Sequence, residues 1–355
     1  MNDQPVSDEP VTDEPAGARP ATGEPVTGEL ATGGPMTGDS AIGGPTTGAP
    51  VSDEHGSVFD GLLGGDSSQW AFGTDFEDPL AGVDTSTPDG VDPAGLAAYC
   101  LMLGDDALIM SQRLSEWCSR APDLEEDIAL ANMALDLLGQ ARLLLARAAA
   151  ADPGVVPVLP EGSPVPPEDA LAFFRDDRDF RNVRLAEVDN GDFAHVVVRL
   201  LLFSAARLAL LERLRASRDH VLAAVAAKGV KEVAYHRDWA GRWFLTLALG
   251  TEESHRRLLA ALDELWPLLA ELTATHPLER SLAQAGAAAD TSSLPGEVNA
   301  VLGQVLATSG VPRPERAPLA GVGGRAGRDG LHTEALSRLL AEMQVVARAH
   351  PSGRW

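Results

Sequence analysis

The sequence predicts an all-α fold, a bundle of long helices preceded by a long disordered acidic tail. Apolar residues recur with helical spacing from about residue 93 onward, and no stretch with the strict alternation typical of strands competes with them. Pro-rich turns separate the helical stretches, which favours a bundle. The first 95 residues contain 18 acidic residues and a single basic one, Arg19, so most of the net charge of −24 lies in front of the bundle.

The tail, residues 1–55, is an array of pentapeptides such as VTDEP, ATGEP and ATGGP. Pro and Gly recur every few residues and prevent helix formation, and almost nothing apolar is present to bury, so the tail is predicted to be extended and disordered. A dispensable tail is favoured over a docking or spacing arm. Residues 56–92 follow as an acidic, Gly-rich linker that carries apolar islands such as QWAFGTDF.

The folded body, residues 93–355, opens with a helix from Asp92-Pro93 that ends before Pro122. A second helix spans 124–150, with acidic residues in its first turn and arginines near its end, as the helix dipole prefers. After a Pro-rich connection, the remaining predicted helices are 169–182, 193–217, 218–250, 250–274 and 332–350. The stretch between 275 and 331 is predicted to be looser.

Composition excludes several function classes. The chain has no basic patch of the kind that nucleic-acid binding requires. Its N-terminus, MNDQPVSDEP, has neither the basic region nor the apolar core of a secretory signal. The longest apolar run, 196–211, contains Arg199 and Arg207 and is too short to cross a bilayer. The expected location is therefore cytoplasmic, with no membrane and no nucleic acid among the partners.

The second helix is apolar nearly all round and is therefore predicted to be buried. It nevertheless carries a stripe of polar residues that share one face at the rotation of 100° per residue: Glu125, Asn132, Asp136 and Gln140. Polar groups on a buried helix cost free energy unless each finds a partner. Such a stripe indicates either a cofactor site or a satisfied hydrogen-bond network.

A second polar pair lies in the fourth long helix, where Glu232 and His236 share one face and could bind a metal. Di-iron bundles need a Glu from each of two helices and a Glu-x-x-His pair from each of the other two. The residue three before His236 is Val233, and the second helix has Leu137 three before Gln140. The ligand set is incomplete, which favours a polar network, or a surface facing another subunit, over a metal centre.

Two further groups leave alternatives open. The aromatic residues Tyr235 and Trp239, with Trp243, are interpreted as core or interface residues, and the alternative is stacking against a substrate. The arginines Arg207, Arg213 and Arg215 are expected to form solvated surface ion pairs, and the alternative is contact with a coenzyme A.

Long strings of the body resemble a known family. LGDDALIMSQRLSEWCSRAPDLEEDIALANMALDLLGQARLLL, FFRDDRDFRNVRLAEVDNGDFAHVVVRLLLF, KEVAYHRDWAGRWFLTLALGTEESHRRLLAALDELW and GRDGLHTEALSRLLAEMQ resemble the C-subunit family of the bacterial phenylacetyl-CoA epoxidase, a ring 1,2-phenylacetyl-CoA monooxygenase. The resemblance runs from about residue 96 to 272 and from about 325 to 347, and it is loose from 273 to 324. It implies a ferritin-like helical bundle.

The resemblance also implies a role in a multicomponent oxygenase of phenylacetate catabolism. In that family a related catalytic subunit carries the di-iron centre, and a reductase delivers electrons. The C subunit is implied to be a non-catalytic structural subunit that binds and supports the catalytic one. In this chain Leu137 and Gln140, and Val233 before His236, stand where a catalytic bundle would have its Glu-x-x-His pairs.

The resemblance thus predicts that this chain binds no cofactor and that di-iron sits in the partner subunit. The six polar residues form a degenerate site under this interpretation: Glu125, Asn132, Asp136, Gln140, Glu232 and His236. Other oxygenase subunits, including the reductase, are the further expected partners. The alternatives are a stand-alone di-metal ferritin-like oxidase and a general helical scaffold protein.

Overall fold

The computed structural model describes Leu80 and residues 82–353; the predicted tail and residues 56–79 of the predicted linker lie outside this part. The α-helices are α1 (Pro93–Ser115), α2 (Leu124–Ala151), α3 (Pro167–Phe173), α4 (Arg184–Glu187), α5 (Phe193–Leu214), α6 (His220–Leu249), α7 (Glu252–Leu265), α8 (Leu269–Thr273), α9 (Pro277–Gln284), α10 (Leu294–Ser309) and α11 (Glu334–Ala349). Short 3-10 turns lie at Pro153–Val155, Asp177–Asp179, Trp266–Leu268 and Gly327–Asp329. Within the described residues no strand occurs, and the predicted all-α class is confirmed.

The four longest helices begin in the same way. An aspartate precedes each of them and accepts a hydrogen bond from the backbone N–H three residues later: Asp92, Asp123, Asp192 and Asp219. A side-chain acceptor at this position satisfies an N–H that the helix itself leaves free, which stabilises a helix by about 1 kcal/mol. These aspartates explain where α1, α2, α5 and α6 start.

The bundle core consists of two helical hairpins. α1 packs along α2, α5 packs along α6, and α2 contacts α6. Gly104 of α1 allows the first hairpin to close tightly, because a Cβ at this position would lie 3.1 Å from Leu145 of α2. α1 and α5 are buried along most of their length.

Three helices of the described part, α1, α2 and α5, are long and apolar enough to cross a membrane by length and composition. The prediction that the longest apolar run, 196–211, is too short to cross a bilayer is therefore wrong, because this run lies within the 22 residues of α5. Most of the apolar surface of α1 and α5 is used inside the bundle, whereas about half of the apolar stretch of α2 is buried.

The predicted looser stretch contains two helices, α9 and α10. α10 was not predicted, because Pro295, Gly296 and Gly303 argue against a helix. A proline in the first turn of a helix is nevertheless favourable. Its apolar residues at intervals of four are buried: Leu294, Val298, Leu302 and Leu306. The helix predicted over 250–274 is instead divided at Pro267, where a 3-10 turn separates α7 from α8.

A buried ion pair holds the chain ahead of α1 against the bundle. Arg147 of α2 binds the Asp219 carboxylate, with Nη2 2.5 Å from Oδ2, and both side chains are at most 1% exposed. The same guanidinium donates to the carbonyl oxygens of Thr85 and Ser86. The described end of the predicted linker therefore packs on the helices.

A second buried contact makes stability depend on pH. The Nδ1 of His332 lies 2.7 Å from Oε2 of Glu187, and its Nε2 lies 3.0 Å from the carbonyl oxygen of Phe180. Burial alone would lower the pKa of His332, but the hydrogen bond and charge of Glu187 outweigh burial and raise the pKa above its ordinary value.

We expect this contact to stabilise the fold fully below about pH 6.5, the ordinary histidine value, and less as pH rises through the raised pKa of His332. His332→Gln retains a donor but does not titrate, so the variant should lose about 1–2 kcal/mol at about pH 6 and progressively less at higher pH. Urea unfolding of both proteins from about pH 6 to about pH 9 measures the difference. An equal loss at every pH would contradict the assignment of the charge to His332.

Candidate functional site

Polar residues predicted on the second and fourth long helices form two side-chain pairs between α2 and α6, here called rungs. Asp136 and His236 form the outer rung, and Gln140 and Glu232 form the inner rung. Oδ2 of Asp136 lies 3.0 Å from Nε2 of His236, and the side-chain amide of Gln140 donates to Oε2 of Glu232 at 2.8 Å. The helices run antiparallel, so residues four apart on one helix face residues four apart on the other. Gly229 lets α6 approach closely, because a Cβ there would lie 3.2 Å from Cδ of Gln140.

Arg207 of α5 completes the inner rung. Its Nε donates to Oε1 of Gln140 at 3.0 Å, and its Nη1 donates to the carbonyl oxygen of Leu103 in α1 at 3.3 Å. The guanidinium of Arg207 therefore links α5 to α1 and α2, and the hydrogen bond between Gln140 and Glu232 extends this link to α6. Burial lowers the pKa of Arg207 to about 10, although the nearby Asp106 carboxylate acts in the opposite direction. The side chain still carries its positive charge at neutral pH.

The expectation that Arg207 lies on the surface is wrong, because the side chain is buried. The signal was its position among apolar residues in LLLFSAARLALL, where a solvated charge would be out of place. Arg213 does form the expected surface ion pair, 2.6 Å from Glu297 of α10. Arg215 is exposed.

Two members of the predicted stripe lie apart from this network. Glu125 and Asn132 are exposed, so the stripe passes from solvent into the core along α2. The prediction that α2 is buried all round is also wrong. One face of the helix leaves four large apolar side chains 44–69% exposed: Leu124, Ile128, Leu135 and Leu138.

The residues between the helices do not fit a di-iron centre. In the part of the chain that the structure describes, no three His, Cys, Asp or Glu side chains are grouped so that they could hold a metal ion. The inner rung presents a neutral amide and a guanidinium beside the Glu232 carboxylate. A guanidinium does not ligate metals, and the amide oxygen already accepts a hydrogen bond from Arg207. The outer rung offers one carboxylate and one imidazole.

The three aromatic residues of α6 differ in exposure. Trp239 is buried and donates its indole N–H to Oε2 of Glu126 at 2.5 Å. Trp243 is half-buried and packs edge-on against Phe193 of α5, and Tyr235 is 46% exposed. The core interpretation therefore holds for Trp239, whereas Tyr235 is a surface residue.

Comparison with known proteins assigns the chain to a family. The sequence profile of phenylacetic acid catabolic proteins matches residues 83–355. The chain belongs to this family. The match includes residues 273–324, where the resemblance seen in the sequence was loose, and it starts just ahead of α1, within the segment that Arg147 holds.

One relative within the phenylacetic acid catabolic family is the C subunit of the 1,2-phenylacetyl-CoA epoxidase of Escherichia coli (strain K12). The two chains are 42% identical over 262 residues, which cover 73% of this chain and 99% of the relative. The family predicted from the sequence is thereby confirmed, and the bundle is the ferritin-like one expected of the phenylacetic acid catabolic family.

Proposed function

We propose that this chain is the non-catalytic structural subunit of a cytoplasmic phenylacetyl-CoA epoxidase, and that it binds and supports a di-iron catalytic subunit. The name of the Escherichia coli relative supports a place in such a complex. The proposal does not route any chemical step through this chain. Its residues contribute a rigid bundle and a surface for the partner.

The arrangement of Arg207, Gln140 and Glu232 carries the proposal. A buried guanidinium repels a divalent cation strongly, because few water molecules screen the two charges there. Gln140 supplies no negative charge, and one oxygen of Glu232 already accepts its amide hydrogen. The same contacts link the four long helices, so the interior favours a rigid bundle over a metal centre.

The exposed apolar face of α2 supports the docking role. Leu124, Ile128, Leu135 and Leu138 extend over about 21 Å of helix at about 1.5 Å per residue. A row of large, exposed apolar side chains on one helix face is typical of a protein–protein contact. A helical catalytic subunit suits it, because two helices can bury their apolar faces against each other over a large area.

Iron analysis tests the proposal. The purified chain, loaded anaerobically with ferrous iron and desalted, should hold less than about 0.1 iron per molecule, whereas its complex with the catalytic subunit should hold about two. About two irons in the lone chain would instead support a stand-alone di-metal oxidase. Failure of the two chains to form a complex would support a helical scaffold outside this oxygenase.

A further inference from the structure

A notch of about 280 Å³ opens between the first turns of α2 and the C-terminal half of α6. It lies outside the two rungs, and none of its lining residues belongs to them. Its lining combines three aromatic side chains with two carboxylates: Tyr235, Trp239, Trp243, Glu125 and Glu126.

Neighbouring side chains fix the positions of the tryptophan rings in the notch. Phe193 of α5 packs edge-on against Trp239 and Trp243, with ring centroids 6.1 Å and 5.0 Å apart. The hydrogen bond from the Trp239 indole to Glu126 fixes a carboxylate beside these rings. The notch is therefore formed before any ligand binds.

Neither carboxylate of the notch forms an ion pair with a residue in the described part of the chain. Glu125 is exposed, and its side chain makes no hydrogen bond or ion pair with any residue that the structure describes. Glu126 uses Oε2 to accept the Trp239 N–H. Arg242 also lines the notch, but it pairs with Asp238 at 3.2 Å rather than with either glutamate. An acidic, aromatic recess of this kind attracts an organic cation.

We propose that this notch receives an arginine side chain of the docked catalytic subunit, an inference that rests on the function proposed above. A guanidinium is planar and can stack on an indole while donating two hydrogen bonds to a carboxylate, which an ammonium group cannot do. The notch adjoins the exposed apolar face of α2, since Glu125 lies between Leu124 and Ile128 in the sequence. One partner surface can therefore cover both.

The experiment measures the dissociation constant between this chain and the catalytic subunit at about 50 and about 200 mM salt. Glu125→Gln and Tyr235→Leu change exposed side chains and should each weaken binding by about 3- to 30-fold at low salt. Glu125→Gln should also reduce the dependence of binding on salt, because it removes a charge from the contact. Glu342→Gln, at an exposed position of α11, is the matched control and should bind like the unaltered chain.

The partner residue can be identified by changing each surface arginine of the catalytic subunit to lysine. One such change should weaken binding, and its effect should no longer add to that of Glu125→Gln. The inference is overturned if both notch variants bind normally while a change in the apolar face of α2 abolishes binding; the proposed function would then survive. If the unaltered chains form no complex, both this inference and the proposed function are overturned. If every lysine variant of the catalytic subunit binds normally, arginine is excluded as the side chain that enters the notch.

Discussion

Replacement of Asp219 by alanine is expected to lower the free energy of unfolding by about 3–5 kcal/mol. The substitution leaves the Arg147 guanidinium buried without its counter-charge, in a place where water cannot replace the lost carboxylate. Asp219 also accepts the backbone N–H of Leu222 at the start of α6, so the helix loses its N-cap as well. Urea unfolding followed by far-ultraviolet circular dichroism measures the loss.

Asp92→Ala is the matched control, because Asp92 caps α1 in the same way but is exposed and has no buried cation beside it. This variant should lose only about 1 kcal/mol. The double variant Arg147→Met with Asp219→Asn removes both charges and retains a cap acceptor, so it should recover part of the stability. Equal losses in Asp219→Ala and Asp92→Ala would show that Arg147 tolerates the absence of its partner.

The long helices could be predicted because each has a local signal that tertiary contacts reinforce. Asp92 and Asp219 stand at the starts of α1 and α6, and apolar residues recur at helical intervals behind them. α10 shows the limit of local signals. Its glycines and Pro295 argue against a helix when taken alone, and the burial of Val298 and Leu302, one turn apart on the same face, overrides them.

The candidate site could be predicted only in part. The spacing of four residues in Asp136 and Gln140, and again in Glu232 and His236, indicated that each pair shares a helix face. The facing partners depend on the register between α2 and α6, which local sequence does not reveal. Arg207 was missed because the general preference of arginine for the surface was given more weight than its apolar neighbours.

The exposure of α2 was also missed, because it depends on which elements pack against the helix. A helix that is apolar all round is expected to be buried. In this bundle α2 is covered by α1, α3 and α6, and no described element covers the face of Ile128, Leu135 and Leu138. An apolar face that the described residues leave open is consistent with burial against another subunit, which the sequence of one chain cannot show.

Replacement of Leu135 by aspartate is expected to weaken binding of the catalytic subunit by at least about 30-fold. Leu135 lies between Ile128 and Leu138 on the exposed face of α2, so a partner that covers this face would bury the new carboxylate among apolar groups without a counter-charge. Central interface residues commonly account for about 2 kcal/mol or more, and each step of about 1.4 kcal/mol changes the dissociation constant tenfold. Biolayer interferometry with immobilised catalytic subunit measures the change.

Val345→Asp on α11 is the matched control, because Val345 is 58% exposed and Leu135 is 63% exposed. Both variants should unfold at nearly the same urea concentration as the unaltered chain, since neither side chain belongs to the core. A large loss of binding in Leu135→Asp alone would place the catalytic subunit on α2. Equal binding by both variants would mean that the partner uses a different face, and that the apolar stripe of α2 meets something else.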